Sequence, residues 1–189
     1  MIERLLFNLE FILVDFFSAY GLVTILCLIL SIFIRNPFLQ KINIQSDRLI
    51  SFIGIVYLMV FLITTIVELN ISDQESKNFL LNRMFGKYWF GFWLQPLLWF
   101  SMSQLLRIKA IRKNILIKLI FSLFFIISIE KTVIIFTSFH RDYLPSSWTI
   151  SSSTYSSNLF VELFIKFSVF LLSVGFFTII DQKINQSKQ

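Results

Sequence analysis

Five stretches of this 189-residue chain are each long and apolar enough to cross a bilayer, and that pattern alone excludes most folds. They cover residues 11–34, 49–67, 88–106, 119–139 and 159–180. A helix needs about 20 mostly apolar residues to span the hydrocarbon core. A membrane strand needs only about ten and alternates apolar with polar, whereas these runs are apolar on every face. Backbone polar groups in lipid must be satisfied inside the segment, which a helix achieves alone. Composition agrees, with 56% hydrophobic and 15% charged residues against about 45–50% and about 25% in soluble domains. The 24 Phe residues exclude intrinsic disorder, because disordered chains are poor in aromatics. Cys27 is the only cysteine, which excludes a disulfide scaffold. His140 is the only histidine, so the chain offers neither a bis-histidine haem nor a recognisable metal site. The expected fold is all-α: a polytopic membrane protein, one transmembrane domain built as a five-transmembrane-helix bundle with short, up-down connections.

Charge sets the expected orientation, because Lys and Arg gather on the cytoplasmic side. The first loop carries Arg35, Lys41 and Arg48, and the third carries Arg107, Lys109, Arg112, Lys113 and, at its end, Lys118. Lys183 and Lys188 lie in the C-terminal tail. In the second loop Lys77, Arg83 and Lys87 are offset by Glu68, Asp73 and Glu75, and the fourth has only Arg141 beside Asp142. The expectation is a bacterial inner-membrane protein with its N-terminus periplasmic and its C-terminus cytoplasmic. The net charge of +6 follows from this asymmetry and gives no reason to expect a nucleic-acid partner, since the basic residues border spans. The first apolar run follows Glu3, Arg4 and Glu10 and includes Asp15, which reads as a retained helix and not as a signal peptide. Asn36-Pro37 breaks the chain after it.

Charges inside a membrane are costly and face the bundle or a water-filled cavity. Glu130 and Lys131 fall midway along the fourth run. Adjacent helical residues point about 100° apart, so each needs its own partner. Glu162 and Lys166 are spaced for an intrahelical ion pair. Asp15 lies inside the first run, and Glu68 closes the second. In the expected orientation these groups occupy the periplasmic half and the midplane, while the cytoplasmic half offers mainly hydroxyls and amides. Two readings follow: a proton path open to the periplasm and ending near Glu130, or buried ion pairs that fix helix register.

The third run centres on Gln95-Pro96 among Tyr88, Trp89, Trp93 and Trp99. Tyr88 and Trp89 suit the aromatic belt at a membrane interface. Trp93 and Gln95 sit deeper and are the candidates for contact with a quinone ring. His140, Arg141 and Asp142 fall together where the fourth run ends, as a docking surface for a partner protein or a proton-exchanging surface group. No serine or cysteine sits in a nucleophile motif, which argues against a hydrolase.

The run EKTVIIFTSFHRDYLPSSW, residues 130–148, resembles the segment ERFVIIxTSLHRDFLPSSW of NrfD-type, polysulfide-reductase-like membrane subunits, in particular the quinol-interacting subunit of bacterial alternative complex III. A second stretch agrees: Glu75, Phe79, Arg83, Gly86, Tyr88, Trp89 and Trp93 follow that family's acidic residue, R-x-x-G-x-Y-W and further Trp, with Pro96 and Trp99 beyond. The resemblance is to the C-terminal half of such subunits, one of two bundles, and so implies half of an NrfD-like fold. Lys131 stands where the family has Arg, a cation without the planar fork. The family assigns its quinol pocket chiefly to the other half.

The resemblance implies a membrane subunit of a quinol:electron-acceptor oxidoreductase, without redox centres of its own. No cofactor is expected on this chain alone. Menaquinone or another quinol would sit at an interface, with c-type haem and iron–sulfur clusters in periplasmic partner subunits and further membrane subunits alongside. Glu130 and Lys131 would relay protons, with Glu68, Glu162 and Asp15 as exits. His140, Arg141 and Asp142 would meet the iron–sulfur subunit. The alternative is a non-catalytic anchoring subunit whose buried charges serve assembly only.

Overall fold

Asn36 and Pro37 separate the first two helices of the chain by local chemistry. The Asn36 side-chain oxygen accepts a hydrogen bond from the Phe38 amide at 2.9 Å, and Pro37 opens the second helix, where its missing N–H costs nothing. A computed structural model describes residues 2–34, 36–71, 73–87, 89–127 and 159–186. Within them run α1 (Ile2–Phe33), α2 (Pro37–Ile71), α3 (Gln74–Phe85), α4 (Trp89–Leu105), α5 (Lys109–Lys113), α6 (Ile115–Ile126) and α7 (Leu159–Gln186).

The short elements have legible boundaries. In α3, Glu75 lies in the first turn and Arg83 in the last, each complementing the helix dipole. Asn114 caps α6, its side-chain oxygen accepting from Leu116 at 3.0 Å and Ile117 at 3.3 Å. Pro96 stands inside α4, where neighbouring groups must meet the carbonyl it frees.

Helix α1 lies against α2, α6 and α7, and α2 packs in turn on α4 and α7. The core between them is aromatic. Phe17 has its ring centroid 4.9 Å from Trp99, 5.1 Å from Phe125 and 5.3 Å from Tyr57. Tyr20 continues the cluster to Phe125 and Phe170. The Trp99 indole donates to the Phe124 carbonyl at 3.1 Å, so its one polar atom is satisfied. Two glycines let the backbones approach: a Cβ on Gly21 would stand 2.6 Å from the Ser122 carbonyl of α6, and one on Gly54 would overlap the Ser103 hydroxyl of α4. Replacing Phe17 by Ala removes the ring that touches three others. It is expected to cost about 3–5 kcal/mol, read as a lowered midpoint for thermal unfolding in mild detergent. A cost under about 1 kcal/mol would mean the neighbours close over the space.

Among the described residues the chain is all-helical, without strands. Three helices are long and apolar enough to cross a membrane: Leu5–Phe33, Pro37–Ile71 and Phe160–Lys183. Helix α4 has 17 residues and α6 has 12, about 26 Å and about 18 Å at the helical rise. The outward surface is apolar too: on α7, Phe160 is 81% and Leu172 74% exposed. Contiguous apolar surface on this scale is foreign to soluble monomers and fits a multi-pass membrane protein. Helix α2 begins at Pro37, well ahead of the apolar run at 49–67, and this places Asp47 inside a helix and not in a loop.

Two buried lysine–carboxylate clusters

Lys166 of α7 joins two of the carboxylates expected to act together. Its ammonium stands 2.8 Å from Asp15 of α1 and 2.5 Å from Glu162, one turn away on its own helix. The spacing of Glu162 and Lys166 thus forms its ion pair, and Asp15 makes the bridge between helices that the sequence did not specify. All three side chains are largely buried. Beside them a cleft of about 50 Å³ is lined by Ile12, Asp15, Phe16, Lys166, Val169 and Phe170, among others. That volume admits water molecules but falls far below the about 300 Å³ at which small-molecule pockets begin. Protons and water fit such a site.

A second cluster lies further along α1, towards its junction with α2. The Tyr20 hydroxyl donates to one oxygen of Asp47 at 2.8 Å, and Lys118 of α6 stands 2.8 Å from the other. Lys118 also donates to the Asn43 side-chain oxygen. Asp47 is 1% and Lys118 3% exposed. An ion pair this deep survives only where further hydrogen bonds complete it, and Tyr20 and Asn43 supply them. The network extends to α4: the Ser51 hydroxyl lies 2.7 Å from the carbonyls of Asp47 and Ser103, and Gln104 donates to the Ser51 carbonyl at 2.8 Å. Four helices therefore meet at one polar node. Nearer the surface, Arg48 of α2 pairs with Asp181 of α7 at 2.9 Å.

This node corrects the expectation that the half of the bundle near the α1–α2 junction offers mainly hydroxyls and amides. The charge pattern puts Lys118 at the end of the third loop, whereas α6 starts at Ile115 and buries Lys118. The signal was present in both cases. Lys118 is flanked by Ile115, Leu116, Ile117, Leu119 and Ile120, and Asp47 lies two residues before an apolar run, with Arg48 between.

The other candidates are placed as follows. Glu68 is half-buried near the end of α2. Trp93 is half-buried, its indole donating to the Met84 carbonyl at 3.1 Å and its ring lying against Phe61 and Phe92. Gln95 is buried in α4. Neither Trp93 nor Gln95 lines the cleft at Lys166. Glu130, Lys131, His140, Arg141 and Asp142 lie outside the described residues.

The described residues thus form an all-helical fold, consistent with a multi-pass membrane protein, with lysine–carboxylate pairs in its interior. No family model, curated protein or solved structure matches the chain.

Proposed function

We propose that the chain is an integral membrane subunit of a quinol-oxidising respiratory complex resembling alternative complex III. In this reading it spans the bacterial inner membrane as a five-helix bundle and contributes to quinol-site architecture and periplasm-facing proton transfer. The observation that carries the proton-transfer part is Lys166, held between Asp15 and Glu162 beside a water-sized cleft. Ionisable groups inside a membrane span mark proton or ion paths by default. The quinol part rests on the run at 130–148 and on the stretch from Glu75 to Trp99. Arg48, Arg112, Lys113 and Lys183 support a cytoplasmic assignment for the end where α1 passes to α2. The 128–158 segment supplies the Glu130–Lys131 relay and the His140, Arg141 and Asp142 docking surface. Electron transfer belongs to partner subunits, with this chain supplying position and proton exit.

A second reading is favoured by the engagement of Trp93 with the Met84 carbonyl and by the small size of the Lys166 cleft. In it the chain is an anchoring subunit, and its ion pairs tie helices together without moving protons.

Purification of the tagged chain in mild detergent separates the two. Co-purifying c-type haem and iron–sulfur proteins with quinol:acceptor activity is the result expected of the respiratory subunit. A chain that emerges alone and colourless overturns it. Within an active complex, Glu130→Gln is expected to slow turnover about 10²-fold or more, the usual scale for loss of a proton-transfer group, with assembly intact. Undiminished turnover would leave Glu130 without a relay role.

A further inference from the structure

Near the α1–α2 junction lies another cleft, of about 60 Å³, lined by Cys27, Ser31, Ile34, Asn36, Leu39, Gln40 and Asn43. Its rim and floor differ. Ser31, Asn36 and Gln40 are exposed, whereas Cys27 is buried and Asn43 half-buried. The floor touches the four-helix node directly, because the Asn43 side-chain oxygen accepts from Lys118, which in turn pairs with Asp47. We propose that this cleft is a hydration site giving water access to the buried Asp47–Lys118 pair.

The chemistry of the lining supports water and not lipid. Empty cavities in proteins are apolar, and a cavity of this size holds water when it offers two to four polar partners. Four side chains here carry amide or hydroxyl groups. The Asn43 oxygen is taken by Lys118 and the Asn36 oxygen by the Phe38 amide, so both amide nitrogens remain as donors. The Ser31 hydroxyl donates to the Leu28 carbonyl at 2.7 Å, leaving its oxygen to accept. A cation is disfavoured by Lys118 behind the floor. Waters held here would exchange protons with the solvent at the rim and stand one side chain from the ion pair. The inference does not rest on the quinol reading and holds equally for an anchoring subunit.

The molecule carries its own reporter, since Cys27 is its only cysteine and lines the cleft. The full chain in lipid vesicles is transferred to D2O and the Cys27 S–H stretching band is followed by infrared spectroscopy. The expected result is replacement of S–H by S–D within minutes. In the double variant Ser31→Leu, Gln40→Leu, whose leucines make the rim hostile to water, exchange is expected to slow about tenfold or more, because it then needs local opening of the helix packing. A wild-type S–H band that persists for hours shows a dry cleft and overturns the proposal. Equal exchange rates in the two proteins overturn it as well, because water would then reach the thiol by another route. Circular dichroism of the double variant identifies a loss of fold, and in that case Gln40→Leu alone gives the comparison.

Discussion

Replacing Lys118 by Met is expected to destabilise the protein strongly, on the scale of losing a large buried core side chain. The change leaves the Asp47 carboxylate at 1% exposure with Tyr20 and without its cation. Breaking a buried pair by removing one partner costs about 3–5 kcal/mol, because a buried charge is left without its counter-ion. Thermal or denaturant unfolding in mild detergent measures the effect. The double variant Asp47→Leu, Lys118→Met is expected to recover most of the loss, since a buried pair is often no more stabilising than apolar residues of similar volume. If the single substitution costs under about 1 kcal/mol, Asp47 reaches solvent by rearrangement and the node is not rigid. Double variants as impaired as the single one would place the stabilisation in Lys118 packing against its neighbours.

The second large effect is steric. At Gly21 an added methyl would lie 2.6 Å from the Ser122 carbonyl and 2.8 Å from an Ile126 side-chain carbon. The carbonyl belongs to the α6 backbone and cannot swing aside as a side chain can. Gly21→Ala must therefore push α1 and α6 apart, loosening the Phe17–Phe125 and Tyr20–Phe125 contacts. The expected cost is about 1–3 kcal/mol or more, the range for overpacking. Gly175 of α7 is the internal control, because a Cβ there meets nothing within 4 Å. Gly175→Ala is expected to be neutral or stabilising by up to about 1 kcal/mol, the difference in helix propensity. Unfolding midpoints of the two variants, compared in one detergent, test the contrast directly. Equal midpoints would show that α1 and α6 adjust without strain.

Part of the candidate site was legible in the chain and part was not. The i, i+4 spacing of Glu162 and Lys166 follows from helix geometry alone, so their pairing could be read from position. Asp15 was legible as a buried charge, because it interrupts an apolar run, but not as the partner of Lys166. That contact joins residues 151 positions apart and depends on how α1 and α7 pack. Asp47 and Lys118 were hidden for a different reason. Hydropathy marks where an apolar run starts, and a helix can begin earlier, as α2 does at Pro37. A charge just outside the run then lies well inside the helix. Once inside, long apolar flanks on either side can carry it into the interior, where a partner offsets the cost.

Sequence by itself determined the apolar solvent and the helical class of the described residues. Long apolar runs with few charges require a bilayer, and the bilayer requires each segment to satisfy its own backbone, which leaves helices. Asn36-Pro37 and Asn114 also set local boundaries, because their effects act within a few residues of chain. Tertiary structure alone decided which buried charges meet. Tyr20, Asn43, Asp47 and Lys118 come from three helices, and their meeting depends on backbones brought close at Gly21 and on the aromatic packing around Phe17 and Phe125. Helices that are apolar on all faces carry little information about which face turns inward. Here close packing and the pairing of charges supply what the hydrophobic pattern withholds.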